Sequence, residues 1–187
     1  DVYKRQVNSQ KLKDYDFGGS GTWENPVGGG LTDFWKQNTA ITITSSKDAK
    51  PRVFQGYTFD LEVNQQDTIR WVISEMSPLV TENFGVTMYG FKMGSNWDKV
   101  LTNPNAQQKE LGMLSVIRRF NDPKAPDVDW LKINGGLMTF PSAHVLRGAE
   151  SNQKVYYYMR LALVDTSDTT APKVLKFLQI DPTITVK

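Results

Sequence analysis

Alternation at a period of two is the feature that most restricts how this chain can fold, and it is densest in the last third. The run VYYYMRLALV (155–164) leads through the turn-rich DTSDTTAPK into VLKFLQIDPTITVK (174–187). A strand points successive side chains to opposite faces, so this pattern reads as half-buried strands. Left unpaired, such a segment would template aggregation. We therefore expect both runs to be docked in a sheet and the C-terminal run to be structural.

Earlier segments repeat the pattern. AITIT (40–44) places Ile41 and Ile43 on one face. In the next run Tyr57, Phe59, Leu61 and Val63 share a face, and Asn64, Gln65, Gln66 and Asp67 make a turn. Thr68 to Ile73 then points Ile69, Trp71 and Ile73 inward, and a one-residue slip would bury Arg70 and expose Trp71. NFGVTMYGFKM (83–93) is apolar on both faces, as a central or covered strand would be. Residues 96–112 read as a long polar loop, GMLSVIRRF (112–120) as either strand or short helix, and 137–141 and 143–146 as short strands. No long 3.6-residue apolar period and no repeat is visible. These signals predict an all-β domain, an antiparallel β-sandwich of jelly-roll type, with Tyr57, Phe59, Trp71, Phe84, Tyr157 and Phe177 in its core.

The N-terminal segment reads differently. DVYKRQ (1–6) matches a frame translation of a sequencing adaptor, so we expect residues 1–6 to be foreign to the fold and to make few contacts. Residues 7–187 would then be a single domain lacking its N-terminal strand. Residues 7–31 are polar and glycine-rich, which predicts irregular structure. The GGSG run (18–21) lacks the Lys-Ser/Thr and following helix of a phosphate loop.

Composition narrows the chemistry. Across 187 residues the net charge is +2, too small a bias to argue for nucleic acid or an anionic membrane surface. No apolar run approaches the roughly 20 residues needed to span a bilayer. There is no cysteine, which removes disulfides, thiolate metal sites and thiol nucleophiles, and fits a reducing compartment. The turn and strand VNQQDTIRW (63–71) is like an element of copper-binding β-sandwiches, but one histidine without cysteine cannot form a blue-copper centre. His144 is the single histidine, and Ser142 beside it gives no triad by spacing alone. We expect no catalytic residues, no resident metal and no cofactor.

Binding is the remaining class. Trp23, Phe34, Trp35, Trp97 and Trp130 lie in or beside polar segments, where an exposed ring can stack on a sugar or anchor a partner. Asp122, Asp127 and Asp129 share one proline-bearing loop, without the spacing of a calcium-binding loop. Trp97, Trp130, Asp127 and Asp129 are thus the candidate ligand-binding residues of a lectin-like module, with calcium as an optional ion. Tyr156 and Tyr158, opposite Val155, Tyr157 and Met159, are candidates for a self-association surface.

Three motifs carry a family resemblance. DTIRW (67–71) follows an alternating strand, VTMYGF (86–91) forms the next, and FLQIDPTITV (177–186) ends the chain. In order and separation, over roughly Leu31 to Lys187, they resemble the AidA/PixA family of bacterial inclusion-body proteins. Gln66 stands where that family carries glycine, and Ile180 where it carries tryptophan. The resemblance implies a β-sandwich, a cytoplasmic bacterial setting and accumulation in inclusions, with no catalytic residues to carry over. The expected function is non-enzymatic, by self-assembly or binding, with the lectin-like module as the alternative.

Overall fold

The computed structural model describes residues 2–44, 52–55, 60–75, 84–111, 114–117, 128–131, 136–165, 167–168 and 170–187. Strands dominate these residues and form two mixed sheets. The first runs in spatial order β3 (Arg52–Gln55), β2 (Thr39–Thr44), β1 (Val2–Val7), β5 (Thr68–Glu75), β10 (Gly136–His144) and β7 (Asn105–Leu111). The second gathers β12 (Lys173–Ile180), β13 (Thr183–Val186), β4 (Asp60–Val63) and β6 (Phe84–Met93) around β11 (Lys154–Asp165). A separate pair joins β8 (Leu114–Ile117) to β9 (Val128–Leu131).

The pairing corrects the antiparallel expectation. β1 runs parallel to β5, and β13 runs parallel to β4. Strands joined by a tight hairpin must be antiparallel, but these partners are joined through long intervening chain, so either direction is open to them. The strand pattern is otherwise largely as read. β5 keeps Ile69 and Trp71 buried and Arg70 exposed. The two short candidates around 137–146 are one strand, β10, and the residues taken for a long loop include β7. Tyr57 and Phe59 lie outside the described residues.

The expectation for residues 1–6 is overturned in its structural part. β1 fills the middle of the first sheet, with β2 on one side and β5 on the other. Tyr3, Arg5 and Val7 alternate onto one face and are fully buried. Alternation in VYKRQV is hidden from a hydropathy reading because a buried arginine holds one of its inward positions.

One short helix arises within the stretch 7–31 where irregular chain was expected, and a second follows it. α1 (Ser9–Asp14) starts at Asn8, whose side chain accepts from the Lys11 amide. Its C-terminal end is held by Lys176 of β12, whose ammonium donates to the carbonyls of Leu12, Lys13 and Tyr15 at 3.0, 2.7 and 2.7 Å. A cation there satisfies carbonyls the helix leaves unpaired. Burial lowers the Lys176 pKa, and the nearby Asp16 and Asp14 oppose that shift. α2 (Thr32–Asn38) buries Trp35, whose indole donates to the Gly28 carbonyl at 2.8 Å. Gly28 has φ of 93°, and a Cβ there would meet the Trp35 ring at 3.1 Å. A third, one-turn helix, α3 (Trp97–Val100), follows β6.

β12 and β13 keep one register along β11 across the Asp181-Pro182 break: Met159 faces Ile180, and Tyr156 faces Thr183. The two are a single arm interrupted where proline removes a ladder donor. The interior comprises two apolar clusters that draw on both sheets. One holds Tyr3, Ile69, Trp71, Trp97, Tyr157 and Ile184; the other holds Val7, Leu12, Trp35, Leu161, Leu178 and Ile180. Arg5 lies between Tyr3 and Val7 in sequence and donates to Tyr3 Oη at 2.6 Å and Thr39 Oγ1 at 3.4 Å. Trp71 Nε1 donates to Tyr157 Oη at 3.0 Å, and burial raises the Tyr157 pKa, so the phenol stays protonated.

Asp181 has one carboxylate oxygen sealed from solvent without a hydrogen-bond partner. Burial raises its pKa above the ordinary 3.8, while a backbone hydrogen bond and the Arg5 charge pull it down. A carboxylate with a raised native pKa binds more protons folded than unfolded, so its contribution favours the fold at low pH. That contribution is present below 3.8 and is lost as pH rises through the higher native value. The stability of the wild type relative to Asp181→Asn should therefore increase on acidification from neutrality towards pH 4; urea denaturation of both proteins across that range provides the check. Lys176→Met should destabilise the fold by about 1–2 kcal/mol, because three carbonyls lose a charged donor. Equal denaturation midpoints for Lys176→Met and wild type would show that water replaces the ammonium without loss.

Candidate functional site

The outer face of the β6–β11–β12 sheet carries the residues free to meet a partner. β11 alternates along its length, with Val155, Tyr157 and Met159 buried and Tyr156, Tyr158 and Arg160 turned to the other side. Tyr156 is 54% exposed. Tyr158 is half-buried, and the Lys92 ammonium of β6 lies 5.6 Å from the centre of its ring. The two self-association candidates therefore do share one face. Beside them, β6 pairs with β11 on one flank and has no ladder partner on the other among the described residues.

At the other end of this face a loop folds over the sheet. Val27 bridges to Leu178 in parallel, with Val27 N donating to Phe177 O and Gln179 N to Val27 O. Phe177 N donates to Ser20 O. Gly21 has φ of 68°, and a Cβ there would lie 2.6 Å from Phe177 O, so this close approach requires glycine. The loop then turns through Thr22–Asn25. Thr22 N donates to Asn25 O at 3.0 Å, and Asn25 N to Thr22 Oγ1 at 3.1 Å.

This turn presents Trp23, which is 54% exposed. Its indole packs against Tyr89 at 4.3 Å between ring centres and meets Phe177 edge-on at 6.1 Å. Tyr89 Oη donates to Trp23 O at 3.0 Å, and an Arg160 nitrogen donates to Glu24 O at 3.3 Å. Two side chains from two strands thus hold the turn by its carbonyls. Burial raises the Tyr89 pKa, the Arg160 charge lowers it, and Glu24 raises it, which puts both charges within electrostatic reach of the phenol.

Of the sequence-derived ligand residues, Trp97 alone has a described side chain, and it lies away from this turn. Trp97, expected as an exposed loop aromatic, is 2% exposed and opens α3; its indole donates to Thr102 O at 3.1 Å, and it packs with Trp71, Phe91 and Tyr157. It is a core residue because the one-turn helix rotates it inward. Asp129 and Trp130 fall on β9, where the backbone alone is described, and Asp122 and Asp127 lie outside the described residues. Phe177, expected in the core, lies instead under Trp23. Trp23 was visible in the sequence as a loop aromatic; its partners Tyr89, Phe177 and Arg160 were not, since they come from three strands.

The remaining reactive groups have ordinary partners. His144 Nδ1 lies 2.8 Å from Thr68 Oγ1, and Ser142 Oγ donates to Asn105 O at 3.4 Å. Asp165 and Asp168 accept from the side chains of Ser167 and Thr170, and from the backbone amides of the same residues, and those bonds lower both pKa values. Among the described residues no three His, Cys, Asp or Glu side chains converge as metal ligands, and no helix is long and apolar enough to cross a membrane.

Comparison with known proteins gives a likeness of fold. No family model and no curated protein matches the chain. Among solved structures, the chain is similar to an inclusion body protein, PixA, from Burkholderia cenocepacia J2315, with a TM-score of 0.58 and 10% sequence identity. The likeness covers 100% of this chain and 94% of that one.

Proposed function

We propose that this chain is a non-enzymatic bacterial β-sandwich protein of the inclusion-body type, acting in the cytoplasm by self-association. The observation that carries the reading is the end-to-end correspondence with PixA, which leaves little of either chain outside the shared fold. At 10% identity that likeness concerns the backbone, so function must be argued from surfaces. The surface argument is the pairing of Tyr156 and Tyr158 beside the outer edge of β6. A large exposed aromatic is costly to leave in water, and an edge strand offers amides and carbonyls to a second copy. The DTIRW and FLQIDPTITV motifs that suggested the family have structural roles, in β5 and in the interrupted β12–β13 arm.

Light scattering over a concentration series tests the proposal. The protein should have a solution mass above that of the monomer, rising with concentration. Tyr156→Asp should shift the distribution towards monomer while the protein stays folded, since more than half of the Tyr156 side chain is exposed. A strict monomer at every concentration would sink the reading.

A further inference from the structure

The Trp23 turn is a second surface, independent of the tyrosine pair. Four properties set it apart from an incidental exposed aromatic. First, the indole is fixed, with one face packed on Tyr89 and an edge against Phe177. Second, the backbone beneath it is fixed, by Thr22, by Tyr89 and Arg160, and by the close approach at Gly21. Third, among the described residues the chain flanking the indole is polar. The other large apolar side chains found exposed are Tyr15, Met93, Tyr156 and Val174, and the chain on either side of Trp23 consists of exposed polar or glycine residues at Gly18, Gly19, Ser20, Thr22, Glu24 and Asn25. Fourth, the charges that act on Tyr89 beneath it among the described residues are opposite in sign, the Arg160 guanidinium and the Glu24 carboxylate.

These properties select an occupant. A protein partner needs a broad contact, on the order of 1,200 Å² or more, in which an aromatic anchor is ringed by further apolar surface. One indole within a polar rim does not supply that. A lipid surface would call for more exposed apolar area, or for a cationic patch. A single flat aromatic face surrounded by hydroxyl, amide and carboxylate groups matches a sugar ring. Its C–H face is apolar and its rim is lined with hydroxyls, and a rigid platform reduces the ordering cost of binding. Those opposite charges favour a neutral sugar over an acidic or amino sugar.

We propose that the Thr22–Asn25 turn is a binding platform for a neutral pyranose, with Trp23 as the stacking surface and Glu24 and Asn25 as hydrogen-bonding groups at its rim. Tyr89 and Arg160 are positioning residues that hold the turn. The platform differs from the lectin-like site expected from sequence, since Trp97 is buried elsewhere and takes no part.

Titration calorimetry of the full chain with soluble neutral gluco-, manno- and galacto-configured hexose oligosaccharides tests it. At least one series should bind. Trp23→Ala should weaken that binding about tenfold or more, and Trp23→Phe, which keeps a stacking face, by less. Both variants should stay folded and keep the wild-type solution mass, with Trp23→Ala lowering stability by no more than its lost contacts with Tyr89 and Phe177. Failure of every oligosaccharide to bind would overturn the proposal, as would binding that Trp23→Ala leaves unchanged. A fall in solution mass on Trp23→Ala, with no sugar bound, would assign the indole to a contact between copies and would also overturn it. A monomeric wild type that still binds sugar through Trp23 would remove the self-association reading and leave this one standing.

Discussion

The backbone ladder of β11 organises the second sheet and, through it, both apolar clusters. Its partners are β6 along one flank and the interrupted β12–β13 arm. Its inward side chains supply Val155, Tyr157 and Met159 to one cluster and Leu161 and Leu163 to the other. A strand that feeds two clusters must keep its inward side chains in phase, because a slip of one residue would present Tyr156, Tyr158 and Arg160 to the interior. The bulges between Arg160 and Leu161 on the β6 side, and between Leu163 and Val164 on the β12 side, confine the irregularity to the half nearer the loop. There the ladder bends beneath the Trp23 turn.

Legibility from sequence followed the range of the interactions. β5, β11 and the arm ending at Val186 were readable because alternation within one segment reports its own burial. The parallel pairings were not, since nothing in a strand's own pattern names a partner joined to it through distant chain. β1 was set aside because DVYKRQ matches an adaptor translation, and its own pattern does not advertise a strand. Arg5 occupies an inward position, and its burial is made tolerable by Tyr3 and Thr39, one of which belongs to the neighbouring strand. Trp97 shows the same limit at small scale, since a single helical turn between polar residues was enough to bury it.

Gln66 is a case in which sequence and backbone explain each other. It stands where the resembling family carries glycine, and it has φ of 68°, the left-handed region that glycine enters freely. The turn is kept by Asp67, whose carboxylate accepts from Asn64 N at 2.8 Å, and by Gln66 N donating to Val145 O at 3.0 Å. This chain thus holds a left-handed dihedral at a non-glycine residue with neighbouring hydrogen bonds. The candidate surfaces were less legible for a related reason. Tyr156 and Tyr158 sit two residues apart on one strand, whereas the Trp23 platform is assembled from a loop and three strands.

The central place of β1 has a consequence for the order in which the first sheet forms. Within the ladder, β2 is joined to the rest of the sheet through β1, and β3 is joined through β2. Neither can complete its pairing with the body of the sheet until the first strand has found β5, a partner far along the chain. Loop closure over that distance is slow, so the three strands should gain hydrogen-exchange protection together and late, as one cooperative unit. By the same logic they should open together, while β11 and its partners remain closed.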